Sequence, residues 1–206
     1  MRRVVVRAIT CGRRGRPRFD TPSEEGYSLI ELMFVSSLLA VIAAAAIPQS
    51  LVMVDRSRAV AAARYVAARM SQARIAAVSR SATVALRFEP GSRGTIFRVF
   101  VDGNRNGVRT RDIRSGIDWQ IEDAVLLSDL FPGVSIGLLP SLGDEAVQLG
   151  GGDLLSFTAT GTSSSGSIYI RGRDDSQFAV RVLGATGRAR VLHYDRSRSE
   201  WIDGAW

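Results

Sequence analysis

The chain has 206 residues, 46% of them hydrophobic and 23% charged, with a formal net charge of +7 and 27 basic side chains that are all Arg. That length accommodates one membrane segment and one modest soluble domain rather than two globular cores. With one cysteine, Cys11, and one histidine, His193, the chain excludes an internal disulfide, a thiolate or histidine zinc centre and a Cys/His catalytic pair.

The charge is unevenly spread. Residues 1 to 26 carry Arg2, Arg3, Arg7, Arg13, Arg14, Arg16 and Arg18 against Asp20, Glu24 and Glu25, a net of +4 that leaves +3 for everything after Gly26. This stretch is rich in Arg, Gly and Pro and has no apolar period, so it reads as a basic cytoplasmic leader. Under the positive-inside rule it stays in the cytoplasm while the chain beyond the next segment is exported.

From Tyr27 to Val54 the run carries one charge, Glu31. As a helix, residues 27–47 would reach roughly 32 Å, enough to cross a bilayer once. A carboxylate in hydrocarbon costs on the order of 2.5–3.5 kcal/mol, so Glu31 is expected to be functional and to have a partner. The run also exceeds an ordinary secretory signal core and continues into Pro48. Lacking an N–H, Pro48 is expected to bend or locally melt the helix about where it leaves the lipid.

The sequence Gly26-Tyr27-Ser28-Leu29-Ile30-Glu31-Leu32 resembles the prepilin cleavage and methylation motif of type IV pilins and type II secretion pseudopilins. The resemblance implies cutting between Gly26 and Tyr27 by a prepilin peptidase, which removes residues 1–26, and N-methylation of the new N-terminus at Tyr27. It also gives Glu31 and Pro48 a part in assembly. In a filament, Glu31 of one subunit can neutralise the new ammonium of a neighbour in low dielectric.

Residues 51–80 hold neither Gly nor Pro and are rich in Ala and Arg, which predicts an amphipathic continuation and one N-terminal helix over 27–80. Its apolar set is Val52, Val60, Ala63, Val66, Ala67, Met70, Ala73, Ala77 and Val78. The Arg side chains at 56, 58, 64, 69, 74 and 80 read mainly as a solvated face.

After Arg80 the pattern becomes short alternating runs separated by Gly, Ser, Asp and Asn. Strands are predicted over Ala82–Phe88, Thr95–Val101, Val125–Leu127, Val134–Leu138, Leu154–Thr158, Ser167–Arg171, Phe178–Leu183 and Arg188–Tyr194. The expected fold class is α+β: a long N-terminal transmembrane and amphipathic helix followed by a small antiparallel β-domain, residues 81–206. The run from Phe157 to Thr162, with Gly166–Ile170, Val180–Val182 and Gly187–Val191, is similar to the C-terminal half of the GspH/FimT group. That group comprises the minor pseudopilin H of type II secretion and the minor pilin T of type IV pili. The resemblance implies a periplasmic domain on a single-pass inner-membrane anchor, with other pseudopilins or minor pilins in a filament tip as partners.

Asp102-Gly-Asn104-Arg-Asn106-Gly107 imitates the start of a calcium loop. Its twelfth position is Ile113 where a bidentate Glu is needed, so a turn between strands is expected. Gly150–Gly152 and Thr162–Gly166 lack the strand–loop–helix context and following Lys of a phosphate loop. Arg188 and Arg190 fall on one face of a predicted strand, and Gly187-Arg188-Ala189-Arg190 resembles an element linked to DNA capture in the T-type minor pilins. No nucleophile triad, carboxylate pair or metal cluster stands out in the sequence, so neither an enzyme nor a cofactor is expected.

Overall fold

In the computed structural model the described residues are 26–150 and 153–204, the side chains of 45–51 excepted. The expected leader therefore lies outside them up to residue 25, as does the side chain of Pro48. The chain divides into two compact units, Met1–Ala44 and Ala45–Trp206, which are taken separately.

Helix α1 is assigned over Leu29–Arg80. It starts at Ser28, whose carbonyl accepts the first helical bond from the Leu32 N–H at 3.1 Å. It ends in a Schellman pattern: the Ser81 N–H donates to the Val78 carbonyl, and the Ala82 N–H to the Ala77 carbonyl. Ser81 occupies the left-handed position at φ 50° that closes such an end. Among the described residues no helix is long and apolar enough to cross a membrane. The described side chains of the apolar run stop at Ala44, short of the ~20 residues a span needs. The transmembrane part of the expected helix is thus not found as such, and the α+β class stands on the remainder.

The second unit is built on the face of α1 carrying Ala59, Ala62, Ala63, Val66, Met70, Ala73 and Ala77, all buried. Their three-four spacing gives one apolar stripe. Val52 and Val78, expected on that stripe, are about half exposed: Val52 precedes its first buried residue and Val78 lies one position past its last. Two antiparallel sheets complete the core. The first has the order β3-β2-β1-β6, from β1 (Val84–Gly91), β2 (Gly94–Val101), β3 (Trp119–Leu126) and β6 (Leu154–Phe157). The second runs β10-β9-β8-β7-β4, with β5 also on β7. Its strands are β4 (Ser135–Ile136), β5 (Val147–Leu149), β7 (Gly166–Arg171), β8 (Gln177–Leu183), β9 (Arg188–Asp195) and β10 (Glu200–Asp203).

Phe88, Phe97, Phe157 and Phe178 are fully buried in the shared core with Met70 and Val66 of α1, each large side chain contributing about 1.5–3 kcal/mol by leaving water. The Arg face of α1 is only partly solvated. Arg69 pairs with Glu122 of β3, and the Arg74 Nε–H donates to the Gly161 carbonyl at 2.8 Å. Two of these arginines therefore tie the helix to the β-domain.

Two short helices, α2 (Thr110–Ser115) and α3 (Leu127–Leu130), were not expected. Nor were β5 and β10, or Trp119–Ala124 of β3.

Candidate functional site

In the first unit the described side chains, those of residues 26–44, are all exposed. Tyr27, Leu29, Ile30, Leu32, Met33, Phe34, Leu38, Leu39, Val41 and Ile42 are each more than half exposed. The Ser36 and Ser37 hydroxyls inside this apolar run bond within the helix, Ser36 to the Met33 carbonyl at 3.0 Å and Ser37 to the Phe34 carbonyl at 2.8 Å. They therefore need no water. Glu31 lies in the first turn of α1, where a carboxylate faces the positive end of the helix. Ser28 and Glu31 also have capping-box spacing, but no side-chain hydrogen bond or ion pair of Glu31 occurs among the described residues. A Cβ placed on Gly26 would meet nothing within 4 Å, so the fold itself makes no demand for glycine there.

In the second unit, β9 brings Arg188 and Arg190 to the outer face of its sheet, where both are exposed. Cross-strand register sets Arg190 directly opposite Arg181 and Arg188 opposite Leu183. Arg181, Arg188 and Arg190 line one depression of about 430 Å³ together with Ser167 and Gln148. The turn into β9 depends on Gly187, at φ +60°, where an added Cβ would lie 2.5 Å from the Gly161 carbonyl oxygen and 3.0 Å from Arg74 Cδ. The loop at Gly161, the Arg74 side chain and the start of β9 are thereby locked together. The sequence marks Arg188 and Arg190, with Arg181 among the arginines nearby, and strand register brings Arg181 to the same depression.

The calcium-like segment is a loop closed by its own carboxylates. Asp102 accepts from the Asn104 N–H at 3.1 Å and the Gly107 N–H at 2.7 Å. Asp118, 1% exposed, accepts from the Gly103 N–H at 3.0 Å and the Arg109 N–H at 2.9 Å. Asn106 donates to Asp112 at 3.1 Å. The loop is a hydrogen-bonded turn, and among the described residues no group of three or more His, Cys, Asp or Glu could hold a metal ion.

His193 lies near the end of β9 in a depression it shares with Arg56, Phe178 and Asp195. Burial, then the charge of Arg56, lowers its pKa, with Asp195 opposing. Asp195 is itself held below the ordinary carboxylate value by hydrogen bonds from Ser197.

The family model of type II transport protein GspH matches residues 62–187, more than half of the chain. The chain belongs to the type II transport protein GspH family. GspH membership makes it a type II secretion-related pseudopilin, within a family of structural rather than catalytic proteins. The matched GspH region takes in the buried stripe of α1 from Ala62 on, the first sheet, and β4, β5, β7 and β8 of the second; Gly26–Pro48 precedes it, and β9 and β10, with Arg188 and Arg190, follow it. Searches of curated proteins and of solved structures gave no match.

Proposed function

We propose that this chain is a minor pseudopilin of a type II secretion system. It is cut between Gly26 and Tyr27 by a prepilin peptidase, methylated at Tyr27, and held in the inner membrane as a single-pass protein with residues 81–206 in the periplasm. It then joins the tip of a short periplasmic pseudopilus with other pseudopilins and promotes protein export. The observation that carries this reading is the helix start at Leu29: an apolar surface that no described residue of its unit covers, with one carboxylate, Glu31, close to a glycine the fold does not require. Such a surface matches lipid before assembly and the apolar helices of neighbouring subunits after it, and Glu31 meets the Tyr27 ammonium of a neighbour. Pro48 lies where that helix passes out of the membrane.

Glu31→Gln separates this role from helix capping, because an amide still accepts a backbone hydrogen bond but carries no charge. The expected result is normal removal of the leader together with loss of crosslinks to other pseudopilins and of secretion. Full secretion by the Glu31→Gln strain would leave Glu31 as a helix-capping residue only.

A second reading, a type IV minor pilin that binds DNA for uptake or assembly, draws support from Arg181, Arg188 and Arg190 around one depression. Guanidinium groups in such an arrangement neutralise phosphates, and binding then weakens steeply with salt. Arg188→Glu with Arg190→Glu in the full chain is expected to lower DNA affinity at least tenfold at low salt, each lost phosphate contact flattening the salt slope by about one. An unmodified chain with no DNA affinity at low salt removes this reading.

A further inference from the structure

The outer face of the second sheet puts like charges opposite one another, an arrangement that costs stability unless something anionic relieves it. Arg190 pairs directly with Arg181 across the β8–β9 ladder, and Arg188 stands two residues back on the same face. The counter-charge at hand is slight. Asp203 reaches Arg190 at 3.3 Å, with both side chains mostly exposed, and Arg181 donates to the Ser167 hydroxyl at 3.3 Å. Among the described residues neither Arg181 nor Arg188 has an ion pair.

Along the same face of β9, four residues beyond Arg190, stands Tyr194, paired across the strand with Trp201 of β10. Trp201 is held between two tyrosines, its ring centroid 5.3 Å from that of Tyr194 and 5.5 Å from that of Tyr169. Tyr169 is buried, and its hydroxyl donates to Gln148 at 3.1 Å. Trp201 and Tyr194 are half-buried, so the pair is braced by Tyr169 and still reaches the surface.

From these positions we infer that the outer face binds single-stranded nucleic acid. Arg181, Arg188 and Arg190 engage phosphodiesters, and Trp201 with Tyr194 supplies a platform on which unpaired bases stack. Four residues of strand span ~13 Å, room for about four stacked nucleotides at ~3.4 Å each. A duplex turns its base faces inward and can use only the arginines, so the aromatic shelf selects the single strand. The inference rests on the nucleic-acid reading above and adds to it the strand state and the stacking residues. An acidic protein segment could satisfy the arginines but has no use for the shelf.

The test measures binding of the full chain in detergent to labelled oligothymidylate, to a duplex of the same length and to polyglutamate, by anisotropy at low salt. Oligothymidylate is expected to bind about tenfold more tightly than duplex and to quench tryptophan fluorescence. Trp201→Ala lowers that affinity about tenfold and leaves duplex binding within about twofold. Tyr194→Ala, read with a circular-dichroism melt, covers the case in which Trp201→Ala disturbs the sheet, and is expected to lower single-strand affinity at least threefold. Equal affinity for single strand and duplex, with neither aromatic substitution mattering, overturns the inference and leaves the DNA reading intact. Polyglutamate binding as tight as oligothymidylate assigns the face to an acidic protein partner instead. Binding of none of the three removes the inference and the DNA reading together.

Discussion

A Gly26→Arg chain is expected to keep its leader, to stay at the unprocessed mass in the membrane fraction, and to leave secretion at the level of a strain lacking the protein. The surroundings of Gly26 make the experiment clean. A side chain there enters open space, so a failure of processing reports on the peptidase that reads this bond rather than on folding. An unchanged melting temperature of the second unit is the matching control. A mature-sized Gly26→Arg product in a secreting strain would sink the proposed cleavage, and with it the free amine at Tyr27 that Glu31 is proposed to meet.

Asp118→Ala carries the largest expected effect on stability. Asp118 is 1% exposed, and both its oxygens are used, one by the Gly103 N–H and the other by the Arg109 N–H. Removing the carboxylate deletes two part-buried hydrogen bonds to a charged group, worth about 1.5–3 kcal/mol each, so a loss of about 3 kcal/mol is expected in thermal melts of the full chain. Asp118→Asn retains one acceptor and is expected to lose about half as much. Added calcium is expected to shift neither the unmodified chain nor the variants, because the carboxylates of this loop are engaged by backbone donors. A calcium-dependent rise in melting temperature would reverse the assignment of the loop as a turn.

Strand runs such as Thr95–Val101 and Phe178–Leu183 were legible because each is a short run of aromatic and β-branched residues bounded by turn residues. Trp119–Ala124 and Glu200–Asp203 were not. Both belong to strands at sheet edges, where half-exposed, charged residues blur the alternation. Strand β5 is only three residues long, Val147–Leu149, too few to display a period. The Arg-rich face of α1 illustrates a different limit. Arg69 and Arg74 occur in the same composition as their solvated neighbours, and their contacts with Glu122 and the Gly161 carbonyl come from segments far along the chain. No local pattern announces such a pairing.

The sequence by itself determined the α+β class and the stripe from Ala63 through Val66, Met70 and Ala73 to Ala77, and it carries the motif Gly26–Glu31, because each is a local pattern: a period, a composition or a short contiguous motif. Only the tertiary structure decided that Arg181 stands opposite Arg190, that Trp201 is clasped by Tyr169 and Tyr194, and that Asp118 closes the loop begun at Asp102. These depend on strand register and loop closure, which bring together residues far apart in the chain and which a one-residue slip would undo.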